Sequence, residues 1–227
     1  MTVRRKWMSI LLMGCALALV GCDSPPTGQL TPLPVHKVVL ASNAPGLPVS
    51  ADPRRGQVTP PDPRWEPAGY RPWRHIVVHH SAGTSGNAAI FDKWHRARGW
   101  DGLGYHFVID NGHGGPDGYV EVGRRWRLGK WGAHTGRTPD NEYNNLGIGI
   151  CLVGDFTKTE PTPAQLASLR KLVRFLAVRY GIGPDHIIGH RDAPNATTTC
   201  PGESLWRYVH GPLRGEVARQ LAARQAR

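Results

Sequence analysis

Gly147-Ile148-Gly149-Ile150-Cys151-Leu152-Val153 is a near-continuous apolar run. A run without polar alternation marks a strand buried on both faces, as in the middle of a covered sheet. Downstream, Thr162-Pro163-Ala164-Gln165 is a capping box with proline in the first turn. Leu166, Leu169, Leu172, Val173, Leu176 and Tyr180 then form one apolar stripe at helical spacing, and Gly181 supplies the stop. Upstream, Arg74 to His79 and Tyr105 to Asp110 read as strands, and Tyr119 to Val122 as a short one. Between the first two, Ser85 or Asn87 can cap a helix in which Ile90, Phe91, Trp94 and Ala97 recur, with Gly99 ending it. Strands mixed with helices in this order give an α/β domain, a sheet covered by helices.

The two ends of the chain read differently. Arg4, Arg5 and Lys6 precede an apolar run from Trp7 to Val20, within the length of a secretory signal and short of the ~18 residues a spanning helix needs. It ends in Leu19-Val20-Gly21-Cys22, which resembles the lipobox of bacterial lipoproteins, where the cysteine is lipidated and becomes the mature N-terminus. An ordinary cleaved signal or an uncleaved anchor is the alternative. Residues 22–68 are rich in proline and glycine without periodicity, the composition of a semi-rigid tether, although Trp65 and Tyr70 suggest that its last part packs on the domain. The domain itself is expected over 69–212. Arg214, Arg219, Arg224 and Arg227, with Val217 and Leu221, make 213–227 a basic tail expected as a short solvated helix.

The formal charge is +11, and removing residues 1–21 with their only charges, Arg4, Arg5 and Lys6, lowers it to +8. A basic surface attracts anionic polymers, and export makes nucleic acid the least suitable of these. Of the four cysteines, Cys15 lies in the signal and Cys22 at its end, leaving Cys151 and Cys200. A disulfide between these two is compatible with an oxidising compartment. The apolar strand around Cys151 argues instead for a small core residue.

Ile76-Val77-Val78-His79-His80-Ser81-Ala82-Gly83 ends a strand on two histidines, and His190 and Cys200 bound one later loop. Two imidazoles and a thiolate are suitable donors for a catalytic Zn2+, which takes three protein ligands and leaves a fourth position to water. Neighbours in a strand point to opposite faces, so only one of His79 and His80 can serve. Alternation does not choose between them.

These motifs occur in order with Gly104-Tyr105-His106-Phe107, Gly132-Ala133-His134-Thr135, Val153-Gly154-Asp155-Phe156, Gly189-His190-Arg191-Asp192 and Cys200-Pro201-Gly202. The chain resembles, over about residues 70–210, the zinc-dependent N-acetylmuramoyl-L-alanine amidase family that includes the T7-type lysozyme and the peptidoglycan recognition proteins. The resemblance implies a mixed central sheet flanked by helices, with zinc at the floor of a surface groove. It implies His79, His190 and Cys200 as ligands, Tyr105 as the active-site tyrosine, and Thr198 at a position held by lysine or threonine in relatives. The loop from His190 to Cys200 is longer than the family's usual spacing, so Thr197 competes with Thr198 for that position. A more distant branch has a glutamate at the position of Cys151 and an aspartate as third ligand; this chain has neither.

The implied activity is hydrolysis of the amide between N-acetylmuramic acid and L-alanine in peptidoglycan. The alternative is a protein of the same fold that binds muramyl peptides without cutting them. His134 is expected to touch the muramyl peptide or to be structural, and Asp192 to orient a ligand histidine or cap the loop. Trp94, Trp100, Trp126 and Trp131 are candidates to stack sugars, and Arg124, Arg125, Arg127 and Lys130 to meet peptide carboxylates. The expected partners are peptidoglycan and, through the anchor, a membrane of the cell envelope at its periplasmic face. The chain is expected to be a monomer.

Overall fold

A computed structural model describes residues 59–66, 69 and 71–226. The signal, Cys22 and most of the tether lie outside the described residues. The sheet is built from β1 (His75–His80), β2 (Phe107–Ile109), β3 (Val120–Val122), β4 (Gly147–Leu152) and β5 (Ile187–Gly189), in the order β3-β2-β4-β1-β5. β1 runs parallel to β4 and β5, β2 runs parallel to β4, and only β3 is antiparallel, which makes the sheet mixed as expected.

The helices are α1 (Ala88–Ala97), α2 (Arg124–Arg127), α3 (Glu142–Asn145), α4 (Pro163–Tyr180), α5 (Glu203–Tyr208) and α6 (Arg214–Gln225). α4 begins where the sequence places it. Thr162 accepts from Gln165 N while Gln165 accepts from Thr162 N, and Gly181 closes the helix at φ 67°, a left-handed conformation that favours glycine. Its Leu169, Leu172, Val173 and Leu176 are fully buried against Ile76, Val78, Phe107, Ile109, Ile148, Ile150 and Leu152. Burying a side chain of this kind contributes about 1.5–3 kcal/mol.

Exposure differs from expectation in α6 and α1. Val217 is fully buried and Leu221 packs on the same core, so α6 lies against α4 as part of the fold. Trp65 is also buried in that core, and Trp126 Nε1 donates to its carbonyl at 3.1 Å, so the end of the proline-rich segment packs on the domain. α1 is capped by Asn87, which accepts from Ile90 N at 2.9 Å. It buries Phe91 and His95, whereas Ile90, Trp94 and Ala97 are exposed. The difference has a local cause: the helix packs on the short segment around Leu103 and Tyr105, which covers only one narrow strip.

Candidate metal centre

Packing on the two faces of the sheet decides between the two neighbouring histidines. Ile76, Val78 and His80 face α4, and Val77 and His79 face the other way. His80 Nδ1 accepts from Phe156 N at 3.2 Å, which ties it to the loop after β4. His79, only 1% exposed, is left on the opposite face. On that face β4 presents Gly147 and Gly149; a Cβ at Gly149 would lie 2.4 Å from the His134 ring, so a side chain there would displace it.

His190 follows β5 directly, at the carboxyl end of the parallel strands, where open α/β sheets place their sites. The loop is closed at its ends by Arg191 N donating to Cys200 O at 2.8 Å, which brings Cys200 beside His190. Asp192 accepts from Gly189 N and His210 Nε2 at 2.8 Å each, and from Trp206 Nε1 at 2.8 Å. These bonds pin the loop to α5 and the turn after it. Asp192 is therefore a loop anchor and not the partner of a candidate ligand histidine.

Among the described residues, His79, His190 and Cys200 bring one donor atom each within 4.8 Å of one another, all buried. Cys200 Sγ lies 3.7 Å from His79 Nδ1. An imidazole nitrogen and a thiolate on one tetrahedral zinc stand ~3.6 Å apart, given the usual bond lengths. His190 Nδ1 is buried with no hydrogen-bond partner, a costly state for a polar atom unless an ion completes it. Burial, then the neighbouring His190 and His134, holds His79 well below the usual histidine range; burial pushes His190 down to about 4. Both rings are thus neutral at pH 7 with lone pairs to give, as metal binding requires. The backbone N–H of His80 also donates to Cys200 Sγ at 3.4 Å, an interaction suited to a thiolate.

The remaining expected residues lie around this set. Tyr105 is nearly buried, its ring centroid 5.2 Å from that of His79. Thr198 Oγ1 accepts from Cys200 N at 3.1 Å and keeps its proton to donate; Thr197 is exposed. His134 lies in the interior, with Nδ1 3.1 Å from His79 Nε2 and Nε2 3.3 Å from Gly147 O. Cys151 is fully buried in the core, paired in register with His79, and no disulfide joins it to Cys200.

Some candidates from the sequence are spent on structure. Arg125 is buried, and its guanidinium donates to the carbonyls of Leu103, Trp131 and Asp101, while Arg124 and Lys130 pair with Asp101. Trp126 is a core residue, but Trp94 and Trp131 remain about half exposed. Sequence reading missed His95, whose Nδ1 accepts from Gly104 N at 3.0 Å beside Tyr105, and Asn144, which accepts from both His134 N and Thr135 N. The spacing of His95, four residues after Phe91 on the same helical face, was the available signal.

A mixed sheet with a buried His-His-Cys set at its carboxyl edge defines an α/β protein built around one candidate metal centre. Residues 69–203 match the Amidase_2 family, described as N-acetylmuramoyl-L-alanine amidase, and the chain belongs to that family. It is 31% identical over 192 residues to the human N-acetylmuramoyl-L-alanine amidase, covering 72% of this chain and 31% of that protein. It is 38% identical over 141 residues to the endolysin of Escherichia phage T7, covering 59% of this chain and 83% of the endolysin. Among solved structures, the N-acetylmuramoyl-L-alanine amidase LysCS from Clostridium intestinale aligns at a TM-score of 0.53 and 30% identity, over 62% of this chain and 83% of that one. The chain spans only 30% and 31% of the length of the pig and human relatives.

Proposed function

We propose that this protein is a zinc-dependent N-acetylmuramoyl-L-alanine amidase that cleaves the bond between N-acetylmuramic acid and L-alanine in peptidoglycan. The observation that carries the reading is the complete, buried convergence of His79, His190 and Cys200 within an amidase-family fold. These three would hold Zn2+, which when bound supplies an activated water and polarises the scissile carbonyl. Tyr105 and Thr198 then offer hydroxyl protons to the carbonyl oxygen as it gains negative charge. Loss of one such donor typically costs about a hundredfold in rate. Loss of a ligand would mark a binding protein of the same fold, and none is lost here.

The N-terminal sequence supports a location for this activity. Cys22 is proposed as the site of diacylation, with the proline-rich segment tethering the domain to a membrane of the cell envelope at its periplasmic face. Stable anchoring takes two acyl chains or their equivalent. A Cys22→Ala variant is expected to leave the membrane fraction, and one that stayed there would overturn the anchor. The domain is proposed to work as a monomer.

The decisive assay digests purified peptidoglycan and measures newly exposed L-alanine amino termini, with and without chelator and with Cys200→Ala. Release by the native protein, abolished by both treatments, is expected. Activity indifferent to both would exclude zinc hydrolysis through Cys200, and tight binding without release would favour the non-cleaving alternative.

A further inference from the structure

The hydrogen bonds around His134 can be assigned from one fixed point. The carbonyl of Gly147 can only accept, so His134 Nε2, at 3.3 Å, carries the proton and donates to it. In the neutral ring Nδ1 must then accept. Its single lone pair is shared between the Thr135 hydroxyl at 2.8 Å and His79 Nε2 at 3.1 Å, since two facing lone pairs at that distance would repel. His79 Nε2 is therefore the protonated nitrogen of its ring, and His79 Nδ1, the atom 3.7 Å from Cys200 Sγ, holds the lone pair.

We propose that His134 is a positioning residue for the metal: it acts through His79, fixing the tautomer and ring plane that present Nδ1 beside Cys200 and His190. The proposal rests on the zinc reading above and gives His134 a role inside the protein instead of on the peptide. Its surroundings fit that role. His134 is only 6% exposed, and both ring nitrogens are bonded within the chain. Asn144 Oδ1 accepts from the backbone N–H of His134 at 2.7 Å and of Thr135 at 2.9 Å, holding the segment at two successive residues. Gly149 leaves the space the ring occupies. Groups that orient a ligand histidine through its second nitrogen commonly change metal affinity by about 10–100-fold when removed.

The test measures Zn2+ affinity of the full chain by competition with a chromophoric chelator, and the visible absorption of the Co2+-substituted protein. His134→Ala is compared with His134→Gln, whose amide can accept from His79 Nε2 and donate to Gly147 O. Gln165→Leu is the control for destabilisation alone. Gln165 is buried on the α4 side, across the sheet from His79, and donates to Ile109 O and Val153 O. His134→Ala is expected to bind Zn2+ about 10–100-fold more weakly with an altered Co2+ spectrum. His134→Gln should recover most of both, and Gln165→Leu should lower thermal stability with affinity unchanged. Native affinity and spectrum in His134→Ala would overturn the proposal, as would equal losses in all three variants. A native chain that takes up no Zn2+ would overturn the metal reading and this proposal with it, whereas native binding with an unaffected His134→Ala overturns this proposal alone.

Discussion

On the side facing α4, β1 and β4 present Ile76, Val78, Ile148, Ile150 and Leu152, all fully buried. On the other side the same two strands present Val77, His79, Cys151 and two glycines, and the rings of His134, His190 and Tyr105 gather there. The first face is filled by bulk, and its stability comes from burial. The second is cleared of bulk so that neutral imidazoles can lie close to the backbone, each held by a hydrogen bond or left with a lone pair. Stability and chemistry are thus divided between the two sides of one strand, at residues adjacent in sequence.

The largest test of this division sets His79→Ala against His80→Ala. Amide release by His79→Ala should fall by at least ~10³, the scale of a lost catalytic group. His80→Ala should keep its Zn2+ affinity, because its backbone N–H still reaches Cys200, and should lose about 1–3 kcal/mol of stability through the unpaired Phe156 N–H. Metal loss in His80→Ala, seen by chelator competition, would erase the distinction between the faces. Next in size, Leu172→Ala should cost about 2–5 kcal/mol in denaturant unfolding, with Zn2+ affinity of the folded fraction unchanged.

A smaller effect depends on pH. Burial pushes His95 down to about 4 and His106 to about 3. Their unfolded forms take up protons near pH 6.5 and the folded ones do not, so stability is full above 6.5 and is lost as pH falls towards those values. Asp110 has the opposite sign: burial, with Glu121 beside it, raises it to about 7, and its contribution is lost as pH climbs from 3.8 to 7. The melting temperature of metal-free protein should fall below pH 6.5, with a shallower fall in His106→Gln. An equal slope in that variant would remove His106 as a cause.

Sequence patterns located α4 and β4 and narrowed the cap of α1 to Ser85 or Asn87, because capping boxes and continuous apolar runs act locally. They left His79 and His80 unresolved. Pleating says only that neighbours diverge, and the deciding contact, Phe156 N, comes from a distant loop. His95 was legible only as an inward-facing position, four residues after Phe91. A buried histidine is explained by its partner, here the backbone N–H of Gly104, and a backbone donor leaves no mark in composition. The motifs named the ligands by family resemblance, but the bonds that orient them depend on side chains meeting across the sheet.

The bond from Arg191 N to Cys200 O makes the ligand loop a bracket fixed at both ends. Residues 194–197, between the Asp192 anchor and Thr198, can be added or exchanged at small entropic cost, ~0.6 kcal/mol for a doubling of loop length, without moving either donor. The long His190 to Cys200 spacing then holds an exchangeable cassette, whose rim can vary while the two donors beneath it stay in register.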